Sequence, residues 1–130
     1  MAKGKILVMD DEDLVRTVAA KMLEFIGYQV LTARNGEEAL TLYQSHRSAG
    51  QPFDAVILDW MVPEGLDGFR TMERLRAMDP YAKGILSSGY PDQDDACAAA
   101  GFSAVIGKPY ELKTLREILE RVTGKTPASA

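Results

Sequence analysis

The chain has 130 residues, of which 46% are hydrophobic and 26% charged, and its formal net charge is -4. These values suit one globular domain with a buried core and argue against wholesale disorder. The acidic balance offers no basic surface for phosphate backbones, so we expect no direct nucleic-acid binding by this domain. A single cysteine excludes an internal disulfide. Because neither a long apolar span nor a signal-peptide pattern is present, we expect a cytoplasmic location and no membrane contact.

Short apolar runs alternate along the chain with segments in which apolar residues recur every three or four positions. The runs indicate buried strands, and the periodic segments indicate amphipathic helices. Asp13 is a candidate cap for the first helix, and Asn35 with Gly36 indicates a turn before the second. In chain order, strands are predicted at 5–9, 29–33, 56–58, 83–87 and 103–107, and helices at 15–26, 37–46, 69–78, 92–100 and 112–122.

This alternation predicts an α/β fold, in which helices cover both faces of a five-stranded parallel sheet. We expect a doubly wound, flavodoxin-like sheet with strand order 2-1-3-4-5 and five helices. That order is inferred from the fold class, because periodicity alone cannot rank the strands. The domain is predicted to span residues 5–123, with residues 1–4 as an N-terminal extension and residues 124–130 as a flexible tail.

Polar side chains stand at the ends of four predicted strands. Asp10 and Asp11 follow the first strand, Asp59 the third, Ser88 the fourth and Lys108 the fifth. Because parallel strands end at one edge of a sheet, we expect these side chains to converge. Crowded carboxylates raise one another's pKa or require a cation, and oxygen ligands suit Mg²⁺. A lysine and a hydroxyl beside that metal form a cradle for a phosphoryl group, and a carboxylate can itself be the nucleophile.

Four motifs resemble the receiver domain of two-component response regulators. They are ILVMDDE at residues 6–12, LDWMVP at residues 58–63, Ser88-Gly89 and Lys108-Pro109. The resemblance covers nearly the whole chain, and the motifs have the order and spacing of that family. It implies a phosphorelay module that catalyses its own phosphorylation and dephosphorylation, rather than an enzyme with a separate substrate. The implied partners are a sensor histidine kinase or its phosphohistidine domain and, further on, a downstream phosphotransfer protein.

The resemblance also assigns roles to individual residues. It implies that Asp59 is the phosphoacceptor, and that Asp11 and Asp59 bind Mg²⁺ directly together with the Met61 backbone carbonyl. Asp10 would act on the metal mainly through water. Lys108 would neutralise one phosphoryl oxygen. The Lys108-Pro109 peptide bond is typically cis in this family.

The hydroxyl of Ser88 would donate a hydrogen bond to another phosphoryl oxygen, while Ser87 is expected to pack or to bond backbone.

Two departures from the common receiver pattern stand out. Three residues, rather than two, separate the loop proline from Asp-Gly in residues 63–68. This loop is similar to that of receivers at the carboxyl end of hybrid sensor histidine kinases, so the chain is interpreted as such a receiver or as a single-domain response regulator. Val105 stands where an aromatic residue usually reports phosphorylation, which makes Tyr90 or Tyr110 a candidate reporter.

Other interpretations of the same residues remain open at this point. Asp10 and Asp11 could simply cap the first helix. An aspartate-nucleophile phosphohydrolase would share Mg²⁺ and Asp59, but such enzymes usually have a second acid two residues later, where this chain has Met61. A pseudo-receiver would bind partners without metal or phosphorylation. A flavin-binding relative would need a Ser/Thr/Gly-rich loop after the first strand, where residues 10–13 are all acidic.

Overall fold

The computed structural model describes residues 3–60, 62, 65–89 and 100–124. Within these residues, five strands alternate with four helices. The strands are β1 (Lys5–Met9), β2 (Gln29–Ala33), β3 (Ala55–Asp59), β4 (Gly84–Ser88) and β5 (Ala104–Gly107), and the helices are α1 (Asp13–Ile26), α2 (Gly36–Ser48), α3 (Gly68–Met78) and α4 (Leu112–Thr123). Of the helix predicted over residues 92–100, only residue 100 is described, so that prediction lies outside the described residues.

All five strands are parallel and form one sheet in the order β2-β1-β3-β4-β5. This confirms the predicted doubly wound α/β fold. Strands β1 and β3 lie side by side, with Met9 opposite Leu58. The residues that follow these two strands therefore leave the sheet at the same edge. Every residue of β1, β3 and β4 is buried, which explains why these strands read as continuous apolar runs in the sequence.

The core lies in two layers, one on each face of the sheet. In β1, Ile6 and Val8 pack in the layer beneath α1 and α4, whereas Leu7 and Met9 pack in the layer beneath α2 and α3. This division follows from the two-residue period of a strand, which sends successive side chains to opposite faces. Among the described residues, no helix combines the length and the apolar character needed to cross a membrane.

Two helix starts differ from the sequence prediction. Asp13 does not cap α1: Glu12 occupies the cap position without a capping side-chain hydrogen bond, and Asp13 lies in the first turn, paired with Arg16. Asn35, predicted as part of a turn, instead caps α2, because its side-chain oxygen accepts a hydrogen bond of 2.9 Å from the amide of Glu38. Only the start of α2 therefore uses the preference of short polar side chains for free backbone amides.

Candidate functional site

Three carboxylates converge where β1 and β3 end. Carboxylate oxygens of Asp10, Asp11 and Asp59 all lie within 4.8 Å of one another. Asp10 and Asp59 are buried and Asp11 is exposed. The amide of Asp10 donates a 3.0 Å hydrogen bond to the carbonyl of Ala33, which extends the pairing of β1 with β2 by one residue beyond the strand. Strand pairing thus brings together the three acids that the sequence predicted to meet.

Asp10 serves both the turn before α1 and the site. Its Oδ1 accepts a hydrogen bond of 2.9 Å from the amide of Glu12, the cap residue of α1, so Asp10 shapes the turn before the helix but does not cap it. Its backbone carbonyl accepts a 2.6 Å hydrogen bond from the guanidinium of Arg16. The sequence reasoning missed this role of Arg16. The only available signal was an arginine in the first turn of a helix that begins at the site.

The ammonium of Lys108 joins Asp59 to Asp10. Its Nζ lies 2.8 Å from Oδ2 of Asp10 and 2.8 Å from Oδ1 of Asp59. The Lys108-Pro109 peptide is cis, as the resemblance implied. The Lys108 amide donates a 2.9 Å hydrogen bond to the carbonyl of Ser88, which holds the end of β5 against β4. The Lys108 side chain keeps 22% of its surface exposed, so an incoming group can reach its ammonium.

The electrostatics of this cluster leave excess negative charge. Burial raises the pKa of Asp59 to about 6, with the Lys108 hydrogen bond acting against burial and the charge of Asp10 adding to it. Burial lowers the pKa of Lys108, but the hydrogen bonds from its ammonium to Asp10 and Asp59 raise that pKa more and hold it above the usual range. One ammonium therefore faces three carboxylates. An all-oxygen donor set with unbalanced negative charge fits Mg²⁺ well.

Of the two other predicted site residues, the structure describes Ser88 but not Met61. Ser88 ends β4 with 3% of its surface exposed and lies opposite Gly107 of β5. Met61, the predicted backbone ligand, lies outside the described residues. Ser87 is fully buried, and its Oγ shares a 2.6 Å hydrogen bond with the hydroxyl of Tyr110, rather than serving only to pack or bonding backbone. The sequence reasoning missed this pair.

The start of α3 closes the loop that follows Asp59. The amide of Gly68 donates a 3.1 Å hydrogen bond to the carbonyl of Trp60. Asp67 caps the helix by accepting a 2.9 Å hydrogen bond from the amide of Arg70. The half-buried Trp60 ring meets Phe69 edge-on, with ring centroids 5.7 Å apart. The Asp-Gly pair therefore fixes the start of α3: the side chain of Asp67 caps the helix, and the amide of Gly68 ties its first turn to the residue after Asp59.

Known proteins are similar to this sequence along most of its length. The protein described as "Probable transcriptional regulator ycf27" from Porphyridium aerugineum is 34% identical over 128 residues, which cover 94% of this chain and 50% of that protein. Virulence sensor protein BvgS from Bordetella pertussis is 29% identical over 130 residues, which cover 93% of this chain and 10% of that protein. The chain thus spans half or less of the length of these curated relatives.

Solved structures share the fold. Chemotaxis protein CheY4 of Vibrio cholerae superposes with a TM-score of 0.81 at 28% identity, covering 92% of this chain and 98% of that one. The receiver domain of the sensor histidine kinase PA1611 from Pseudomonas aeruginosa gives 0.75 at 29% identity, covering 94% and 98%. That receiver was solved with a magnesium ion coordinated in its active-site cleft.

The family assignment rests on a match to a family model. The model of the response regulator receiver domain matches residues 6–120, which include four complete strands, all of β1 except Lys5, and most of α4. Relatives of the chain include both receivers of hybrid histidine kinases and response regulators. The chain therefore belongs to the response regulator receiver domain family, the phosphorelay module of two-component signalling.

Proposed function

We propose that this receiver accepts a phosphoryl group on Asp59 from a phosphohistidine of a sensor histidine kinase. One observation carries the proposal: Lys108 bridges the buried carboxylates of Asp59 and Asp10 within a cluster of three acids. This arrangement combines a nucleophile, a cation for the phosphoryl charge and an oxygen site for Mg²⁺. We assign the metal to Asp10, Asp11 and Asp59 with the Met61 carbonyl.

The proposed transfer is a single displacement at phosphorus. A carboxylate oxygen of Asp59 forms a bond to phosphorus while the bond between phosphorus and the imidazole nitrogen breaks. The electron pair stays on that nitrogen, which then takes a proton from solvent. Bound Mg²⁺ supplies positive charge against the phosphoryl oxygens and the acids. The ammonium of Lys108, already 2.8 Å from Asp59, pairs with one phosphoryl oxygen, and the hydroxyl of Ser88 donates to another. Attack of water at phosphorus then breaks the bond between phosphorus and the Asp59 oxygen, which regenerates the carboxylate and releases inorganic phosphate.

Phosphorylation by a small acyl phosphate tests this assignment. With acetyl phosphate and Mg²⁺ we expect one phosphoryl group per chain, detected by intact-protein mass spectrometry. The label should be lost in Asp59→Asn and retained in Asp54→Asn. Asp54 is a matched control, because it stands at the other end of β3 and binds the Lys5 amide at 2.7 Å, a bond that asparagine can also accept. Rapid turnover of a phosphate ester would instead favour a phosphohydrolase, and absence of both Mg²⁺ binding and labelling would favour a pseudo-receiver.

The surface beside Lys108 suits the docking of a protein donor. An apolar groove of about 180 Å³ runs between α1 and the turn after β5, and Lys108 is part of its wall. Leu14 and Val18 are 74% and 45% exposed there, although both are apolar. A phosphohistidine can reach Asp59 only if its carrier covers neighbouring surface. We therefore assign this groove to the helix that bears the phosphohistidine. The groove is lined by Leu14, Val15, Val18, Lys108, Pro109 and Tyr110.

Two phosphodonors separate docking from chemistry. In Leu14→Glu and Val18→Glu we expect transfer from a phosphorylated histidine kinase, one that labels the wild-type chain, to fall at least roughly tenfold, since a charge would enter an apolar contact. Labelling by acetyl phosphate should stay at the wild-type rate. Tyr81→Glu is the matched control, because Tyr81 is 88% exposed and lies outside the groove. Equal loss with both donors would place Leu14 and Val18 in the chemistry or the fold instead.

We further infer that the domain extends over residues 5–123 and works either within a hybrid histidine kinase or as a single-domain response regulator. The longer loop at residues 63–68 and the similarity to BvgS favour the first setting. The coding sequence on either side of this chain decides between them. A preceding histidine kinase supports the hybrid, and a DNA-binding domain following the chain would contradict both settings.

A further inference from the structure

The hydroxyls of Ser87 and Tyr110 form a contact that the proposed phosphoryl transfer does not use. Their oxygens share a hydrogen bond of 2.6 Å, although the two residues are 23 positions apart in the chain. Ser87 is fully buried near the end of β4, and Tyr110 follows the cis Lys108-Pro109 peptide. The bond therefore ties the β4 end to the turn that carries the site lysine.

The backbone around Ser87 holds both halves of the site. Ser87 lies opposite Asp59 in the sheet, and its carbonyl accepts a 3.0 Å hydrogen bond from the amide of Trp60. The next carbonyl, that of Ser88, accepts a 2.9 Å hydrogen bond from the amide of Lys108. A displacement of this end of β4 would therefore move the acceptor and the lysine relative to each other.

Tyr110 is well placed to fix that position. Its ring packs against the core layer beneath α1 and α4, and it also lines the apolar groove beside Leu14. Burial raises its pKa to about 12, against a smaller lowering by the hydrogen bond with Ser87, so the hydroxyl keeps its proton at neutral pH. The Tyr110 side chain has only two torsion angles, its ring is packed, and its hydroxyl is hydrogen-bonded. It can therefore hold the Ser87 side chain in one place.

We propose that Tyr110 is a positioning residue for phosphorylation: through the Ser87 hydroxyl it sets the end of β4, and with it the placement of Ser88 and Lys108 against Asp59. This inference rests on the proposed function, because it concerns the rate of the same transfer. It assigns Tyr110 no contact with the phosphoryl group or the metal. Phosphorylation should therefore depend on the pair of hydroxyls as one unit, whereas Mg²⁺ binding, which uses the acids of β1 and β3, should not.

A double-mutant cycle tests the pair. Tyr110→Phe, Ser87→Ala and the double variant are labelled with acetyl phosphate at saturating Mg²⁺, and Mg²⁺ binding is followed by the fluorescence of Trp60, the single tryptophan of the chain. We expect each single variant to lower the phosphorylation rate constant roughly threefold to tenfold, because small misplacements of reacting groups are costly. The double variant should be no slower than the slower single one. The Mg²⁺ dissociation constant should stay within about twofold throughout, because neither substitution removes a ligand and the three acids follow β1 and β3 rather than β4.

Each outcome bears on one claim. Wild-type rates in Tyr110→Phe, or losses that multiply in the double variant, would overturn the positioning role. A parallel loss of Mg²⁺ affinity would also overturn it, since general damage to the site would then explain the rates. If Ser87→Ala does not fold, Tyr110→Phe against the exposed control Tyr81→Phe decides alone. The proposed function fails separately, through labelling of Asp59→Asn, and a wild-type chain that takes no label overturns both.

Discussion

Gly68 packs directly against the backbone of Asp59. A Cβ atom at position 68 would stand 2.5 Å from the Asp59 carbonyl oxygen and 3.2 Å from the Cα of Trp60. Real Cβ atoms do not approach backbone so closely, and neither α3 nor β3 has a flexible side chain here that could move aside. Only glycine lets the first turn of α3 approach the residue proposed as the phosphoacceptor.

We therefore expect Gly68→Ala to reduce stability and phosphorylation together. Overpacking against backbone should lower the free energy of unfolding by about 1–3 kcal/mol, and displacement of Asp59 should slow labelling by acetyl phosphate. Chemical denaturation and labelling rates measure the two effects. Gly84→Ala is the control, because Gly84 is also buried but begins β4 at the opposite end of the strand, against the side chain of Met72. An equal loss of rate in both variants would contradict a local effect on Asp59.

Removal of the site lysine should have opposite effects on stability and on metal affinity. Without Mg²⁺, Lys108→Ala leaves Asp10 and Asp59 buried without their cation, and we expect a loss of about 1–3 kcal/mol, reduced from the fully buried case by the partial exposure of Lys108. Mg²⁺ should bind about tenfold more tightly, because the competing ammonium is gone. Denaturation and Trp60 fluorescence titrations test this against Lys113→Ala, an exposed lysine of α4. Unchanged or weaker Mg²⁺ affinity would contradict the expectation.

The exposed member of the acid cluster should show the reverse pattern. In Asp11→Asn we expect a slight gain in stability without Mg²⁺, because like-charge repulsion with Asp10 and Asp59 is relieved. Mg²⁺ at a hundredfold excess over its dissociation constant should stabilise the wild-type chain by about 2.7 kcal/mol and raise its melting temperature. In Asp11→Asn this rise should largely disappear. Thermal unfolding with and without Mg²⁺ measures both. Asp13→Asn removes a neighbouring exposed acid outside the cluster and should retain the Mg²⁺ response.

A pH dependence of stability follows from Asp79, at the end of α3. Burial raises its pKa, but the hydroxyl of Tyr43 at 2.7 Å, the amide of Tyr81 and the charge of Arg47 together lower it below the ordinary 3.8. A carboxyl with a lowered folded-state pKa stabilises the fold fully above its unfolded pKa. This contribution declines as the pH falls through the lowered value.

The free energy of unfolding of Asp79→Asn, measured in urea between pH 7 and pH 3, should therefore be lower than that of the wild type near neutrality. The gap should narrow below pH 4, because the carboxyl is protonated first in the unfolded chain, and it should keep narrowing as the pH falls toward the lower folded-state pKa. Tyr43→Phe removes the main hydrogen-bond donor and should lose about 1 kcal/mol at pH 7. A gap that stays constant over this range would show that the lowered pKa does not contribute.

Most of the fold and the meeting of the site residues could be predicted from sequence. The central strands are buried on both faces, so their apolar runs are continuous, and parallel strands deliver Asp10, Asp59 and Lys108 to one edge whatever the details of packing. The alternation of strand and helix predicts that the strands are parallel, and parallel strands end at one edge, whereas the order of the strands came from the fold class.

Contacts that depend on side-chain direction could not be predicted. The bond between Ser87 and Tyr110 requires a known register between β4 and β5 and a known turn after Pro109, and neither has a periodic signal. The cap of α1 was misassigned because Glu12 and Asp13 are both acidic neighbours of a helix start, and only backbone geometry distinguishes the cap position from the first turn.

The loop after Asp59 is held by hydrogen bonds at Trp60, Leu66 and Gly68. The Trp60 carbonyl accepts from the Gly68 amide, the Leu66 amide donates to Glu37 at 2.9 Å, and the Leu66 carbonyl accepts from the Gly36 amide at 3.2 Å. These anchors hold the start of α3 against the end of β3 without depending on the residues between Trp60 and Leu66. A receiver of this design can therefore vary the surface beside Asp59, and with it the partners that it distinguishes, while α3 keeps its place against β3.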